Sequence, residues 1–148
     1  MARSEEFMKI TKHSRQREAI KEFLMTRKDH PSADTIYIYM REVFPNISLG
    51  TVYRNLALLT ELGEIQKLHY GTESDHFDGD ISLHHHIICR ECGSINDLKM
   101  ENIDFINTLA NQNFDGIVEG HNIHFYGICK NCKNNLKLKN NIDKSKSV

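Results

Sequence analysis

The stretch Asn46–Leu68, "NISLGTVYRNLALLTELGEIQKL", decides how the front half of the chain is read. Ser48 offers a capping oxygen, Val52, Leu56 and Leu59 recur at i, i+4 and i+7, and Gly63 closes the run. The spacing predicts a helix that buries those three residues and leaves Tyr53, Arg54 and Asn55 near solvent. After Gly63, "EIQKLHYG" and "ESDHFDG" alternate apolar and polar residues about a glycine-containing turn, which predicts a hairpin. Upstream, "HPSADTIYIYMREVFP" predicts a helix capped by Ser32, ended by Pro45 and burying Ile36, Met40 and Val43. Before it, Ala19, Ile20, Phe23 and Leu24 lie at helical spacing between Arg15 and Arg27. Three helices followed by a hairpin is the winged helix-turn-helix plan.

A helix that enters a DNA groove needs polar or aromatic side chains near its N-terminal half, within reach of base edges and phosphates. Ser48, Thr51, Tyr53, Arg54 and Asn55 are the candidates, with Lys12, Arg15 and Arg17 as phosphate partners. A small helical bundle with an ordinary solvated face would show the same pattern. Charge separates the two halves. Residues 1–70 carry 11 Lys/Arg against 9 Asp/Glu, whereas residues 71–132 carry 3 against 10, so a polyanion in front and a cation behind are the expected partners.

All four cysteines of the chain fall into two Cys-x-x-Cys pairs, Cys89/Cys92 and Cys129/Cys132. Thiolate is a soft donor, and four of them around one ion suit a closed, tetrahedral structural zinc site. The competing readings are a redox dithiol or separate reduced cysteines. Zinc would also explain how a small back half holds together, because such binding energy is folding energy.

In "SLHHHIIC" the surrounding apolar residues predict a strand, whose alternation puts His84 and His86 on one face and His85 on the other. Two imidazoles on one face begin a second metal site, with Asp78, Asp80, Asp97 and Asp104 as nearby carboxylates. Imidazole mixed with carboxylate oxygen favours Fe, Mn, Co or Zn over Ca or Mg. Spacing alone does not choose the oxygens.

Taken together, "HPSADTIYIYM", "FPNISLGTVYRNLALLTELG", "HHHIICRECG" and "FYGICKNC" resemble the ferric uptake regulator family of bacterial metal-dependent repressors, over roughly residues 9–133. The resemblance implies an α+β homodimer in which residues 1–71 form a winged-helix DNA-binding domain and residues 72–135 a C-terminal α/β dimerisation domain. A hinge is expected near Gly71, and residues 136–148 are expected to form a basic, disordered tail. The resemblance also implies a regulatory Fe(2+) or Mn(2+) site made by His30, Asp78, His84, His86 and Asp97, beside structural Zn(2+) on the four cysteines. A third, weaker site would involve His85, Asp104 and His121, with Leu83 standing where other members carry a further histidine.

Aspartate at both 78 and 97 resembles the peroxide-repressor branch, in which His30 or His84 would be converted to 2-oxo-histidine; Arg54 is the residue typical of iron-uptake regulators. The chain is therefore expected to be a metal-dependent transcriptional repressor acting on double-stranded, palindromic operator DNA, and not an enzyme. An iron-uptake regulator is the alternative. A zinc hydrolase is the alternative from another class, but no His-Glu-x-x-His helix or nucleophile elbow appears. No apolar run approaches the roughly 20 residues needed to cross a bilayer, so no membrane association and a cytoplasmic location are expected.

Overall fold

A computed structural model describes residues 15–71 and 74–145, with side chains described as far as Leu138. The chain divides into two compact units between Leu83 and His84.

The first unit begins with helix α1, which covers residues 15–25 of the described chain. Helix α2 (Ala33–Val43) follows, and its N-cap Ser32 accepts from the backbone N–H of Thr35 at 3.3 Å. Helix α3 (Leu49–Glu61) has the same device, Ser48 accepting from the N–H of Thr51 at 3.1 Å. Gly63 then takes the left-handed φ of 69° that ends a helix without a Cβ penalty. Strands β1 (Gln66–Leu68) and β2 (His76–Asp78) pair antiparallel, with Lys67 opposite Phe77. Ile20, Leu24, Ile36, Met40, Val52, Leu56, Leu59 and Phe77 form one core, so each helix and the hairpin bury an apolar stripe against the others. At about 1.5–3 kcal/mol per buried large aliphatic side chain, this packing outweighs any single polar contact in the unit.

Val43 departs from its expected burial: it is 64% exposed. The helix ends there, and Phe44, at the C-cap, packs on the core in its place.

The second unit holds a three-stranded sheet in the order β4-β3-β5. Strand β3 (His85–Cys89) runs antiparallel to β4 (Ile95–Leu98) and parallel to β5 (Phe125–Gly127). The parallel pairing requires a crossover, which contains helix α4 (Phe105–Asn111). Helix α5 (Lys130–Ser145) closes the chain.

Two expected boundaries move. Gly71 adopts φ 71° within the β1–β2 connection, and β2 stays with β1, so the division falls after Leu83 instead of after residue 71. The expected tail from residue 136 is helical to Ser145, because α5 continues past the second Cys-x-x-Cys pair. None of the described helices is long and apolar enough to cross a membrane.

Candidate functional site

The cysteines converge as their spacing predicts, one sulfur from each lying within 4.8 Å of the others. The β3–β4 connection makes the first knuckle. Gly93, at φ 71°, allows its N–H to reach the Cys89 carbonyl at 2.9 Å, while the Cys89 N–H donates to the Ser94 carbonyl at 2.9 Å. The start of α5 makes the second knuckle, with the Cys132 N–H directed at Cys129 Sγ at 3.5 Å. The Cys129 N–H donates to Cys89 Sγ at 3.2 Å and joins the two.

That N–H is the main reason the Cys89 thiol is held down at about 6. Cys129 is lowered in the same way, chiefly by the Cys132 N–H. Cys132, by contrast, is pushed up to about 12 by the Cys92 and Cys129 sulfurs beside it. Four sulfurs this close cannot all lose their protons unless a cation replaces them, and backbone donors already favour thiolate at two of them. The donor set fits zinc.

In the first unit, His30 and Asp78 are each 2% exposed, with Nε2 and Oδ2 3.3 Å apart. A carboxylate and an imidazole buried this deeply need each other or a cation to offset their desolvation. His30 is also the only described non-glycine residue at positive φ, 48°. That region costs most L-residues about 1 kcal/mol or more, and Pro31 further restricts the backbone before it.

In the second unit, β3 begins one residue later than expected, at His85, yet His84 and His86 still come together. The His84 and His86 rings lie 4.4 Å apart between centroids, and their Nε2 atoms approach Asp97 Oδ1 at 3.4 and 3.6 Å. His86 pairs with Asp97 across the β3–β4 ladder, which brings the carboxylate to the imidazoles. These separations exceed the roughly 2.7–2.9 Å of a charge-assisted hydrogen bond, and the nitrogen and oxygen donors suit Fe or Mn.

The third expected group does not assemble among the described residues. His85 turns to the opposite face, edge-on to Phe125, His121 Nδ1 lies 2.7 Å from Asn107 Oδ1, and Asp104 accepts from Asn102.

On α3, Tyr53 is 47% exposed and Arg54 is also exposed, as expected. Thr51 and Asn55 are buried instead. Asn55 stands three residues after Val52, at the edge of the buried stripe, and its Nδ2 donates to the Thr51 carbonyl at 3.0 Å. Thr51 Oγ1 accepts from Arg54 Nη2 at 3.0 Å and lies 2.9 Å from Ser48 Oγ, so both residues shape the helix that carries Arg54. Ser48 and Arg15 are exposed, Arg17 is half-buried, and Lys12 lies outside the described residues.

Sequence patterns gave no weight to His76 or Gly79. His76 Nδ1 lies 2.7 Å from the His30 carbonyl oxygen, and a Cβ on Gly79 would come within 2.6 Å of the α1 backbone at Leu24 and Met25. Only the folded chain brings either pair together.

The family model of the ferric uptake regulator family matches residues 8–126. The peroxide-responsive repressor PerR of Staphylococcus epidermidis is 41% identical over 118 residues, covering 80% of this chain and 79% of that protein. Its counterpart in Staphylococcus aureus is 40% identical over 118 residues, covering 80% of each. Among solved structures, the Campylobacter jejuni peroxide stress regulator superposes with a TM-score of 0.68 at 26% identity, covering 89% of this chain and 98% of that one. The Helicobacter pylori ferric uptake regulator has the same fold, with a TM-score of 0.69 at 24% identity over 88% of this chain and 90% of its own. The chain belongs to the ferric uptake regulator family of metal-dependent regulators, and these curated relatives are its peroxide-responsive repressors.

Proposed function

We propose that the chain is a metal-dependent repressor that binds palindromic operator DNA as a homodimer and senses peroxide by oxidation of one of its own histidines. In this reading Cys89, Cys92, Cys129 and Cys132 hold structural zinc, and His30, Asp78, His84, His86 and Asp97 together hold one regulatory Fe(2+) or Mn(2+). The observation that carries it is the buried His30–Asp78 pair, placed in the same unit as α3, which presents Tyr53 and Arg54. Donors from that unit joined to donors from the other make DNA binding depend on the ion, in proportion to its preference for the joined state.

Ferrous iron held by these residues would supply the electrons that activate peroxide. The protein's part would be to present an imidazole C–H of His30 or His84, which would take one oxygen atom from peroxide and become 2-oxo-histidine, the other oxygen leaving as water. An oxidised imidazole is a poorer donor, so the ligand set loosens and the operator is released. Aspartate at 78 and 97 supports this reading, as do the peroxide-responsive relatives.

For the homodimer, the support is apolar surface: Phe105, Leu109, Phe114, Ile117 and Tyr126 of the second unit are each more than half exposed, apolar area that a second copy would cover. Arg54 favours the second reading, an iron-uptake regulator that responds to iron supply without oxidation.

Operator binding with Mn or Fe, before and after peroxide, tests the choice. Release of the Fe form alone is expected. Equal retention of both forms after peroxide would favour iron sensing.

A further inference from the structure

We propose that His76 is a positioning residue for His30, fixing the backbone of that ligand. The inference rests on the regulatory-metal reading above.

Strand β2 lies between two neighbours. On one side it pairs with β1, and on the other the segment that carries His30 joins it through a bridge between Ser32 and His76. The Phe77 N–H donates to the Pro31 carbonyl at 3.1 Å, so the backbone of residues 31–32 is already tied to β2. Residue 30 lies one step beyond that bond, at positive φ and directly before a proline. Nothing in ladder pairing holds an L-residue there.

The side chains of β2 complete the grip. His76 and Asp78 stand two residues apart, so a strand directs both to one face. His76 Nδ1 reaches the His30 carbonyl at 2.7 Å, and Asp78 Oδ2 reaches His30 Nε2 at 3.3 Å. A carbonyl oxygen only accepts, so His76 Nδ1 carries the proton and donates. His76 thus grips the main chain of the ligand from the same three-residue strand whose Asp78 lies beside the ligand's ring. A partner that orients a ligand in this way commonly changes metal affinity when removed, even though it touches no metal.

The test uses the full-length, zinc-loaded chain and Mn(II) as the probe, with affinity read by calorimetry. His76→Ala should weaken Mn(II) binding by about 10- to 100-fold. At saturating Mn(II) the same variant should recover the operator affinity of the unmodified chain. His76→Asn places an amide donor near the Nδ1 position and should restore Mn(II) affinity to within a few-fold. His76→Gln extends its donor to the Nε2 position and should not restore it.

Recovery by Gln but not Asn would overturn the proposal, because it would make Nε2 the working atom. Equal Mn(II) affinity in His76→Ala and the unmodified chain would also overturn it. An unmodified chain that binds no Mn(II) would bring down the regulatory-metal reading first. A further measurement does not depend on the variants folding: long-range proton–nitrogen correlation in the metal-free protein should find His76 protonated at Nδ1. The opposite tautomer would sink the proposed bond.

Discussion

At the scale of single residues, the backbones of β2 and α1 come close where β2 leaves the hairpin. Gly79 follows Asp78, and a Cβ there would lie 2.6 Å from backbone atoms of Leu24 and Met25, with the Leu24 carbonyl oxygen at 2.8 Å. Backbone cannot rotate away as a flexible side chain can, so Gly79→Ala must push β2 off α1. The expected cost is about 1–3 kcal/mol, read as a lower midpoint in urea. The same displacement carries Asp78 away from His30, so Mn(II) affinity should fall as well; a variant with unchanged stability would show that α1 yields easily. This contact was not legible in the sequence. "ESDHFDG" reads as the second strand of a hairpin, and nothing in it says that its last glycine abuts a helix from 54 residues earlier. The candidate metal ligands were more legible, because His84, His86 and the cysteines announce themselves by alternation and spacing, whereas His30, Asp78 and Asp97 needed the resemblance. His76 was hidden because its partner is a main-chain carbonyl, which has no sequence signature.

At the scale of elements, α3 separates two roles that its sequence ran together. Helical spacing places the solvent-facing and buried residues of α3 to within one position, and Asn55 fell on the wrong side because i+3 from Val52 borders the buried stripe. The two roles predict different phenotypes. Asn55→Ala removes a buried hydrogen bond to Thr51 and should lower stability by about 1–2 kcal/mol with operator preference unchanged, as read by denaturation and binding-site selection. Arg54→Asn should leave stability within about 0.5 kcal/mol and alter which operator is preferred, since an exposed side chain that meets a base contributes about 1–3 kcal/mol of discrimination. Unaltered preference in Arg54→Asn would mean that α3 meets DNA by another face. The knuckles make a comparable case in the second unit. The Cys129 N–H and Sγ both contribute to the cluster, at the junction of β5 and α5, so Cys129→Ser should release zinc, melt the second unit and abolish the dimer. A zinc-free Cys129→Ser protein that stays folded and dimeric by sedimentation would show the site to be dispensable for the fold.

At the scale of the whole molecule, the proposed peroxide sensing would depend on how the donors divide: His30 and Asp78 lie before the boundary after Leu83, and His84, His86 and Asp97 lie after it. If one ion needs both sets, then damage to a single imidazole acts on the DNA-binding arrangement as a whole, since the ion shifts populations only by its differential affinity. Fe(II)-loaded protein given low peroxide under anaerobic handling should therefore gain one oxygen on the peptide carrying His30 or on the one carrying His84. Operator affinity should fall in step with that gain. Mn(II)-loaded protein should show neither change, which controls for peroxide acting elsewhere, including at the cysteines. Asp97→Glu sharpens the case. Asp97 Oδ1 lies 3.4 Å from His84 Nε2 and 3.6 Å from His86 Nε2, so an added methylene displaces the carboxylate from both while keeping its charge. Metal-dependent operator binding should persist and peroxide sensitivity should drop, because binding tolerates a shifted oxygen better than oxidation at one C–H position does. Mass spectra that show operator release with no oxidised histidine would rule out the peroxide reading and leave iron sensing as the account of the same ligands.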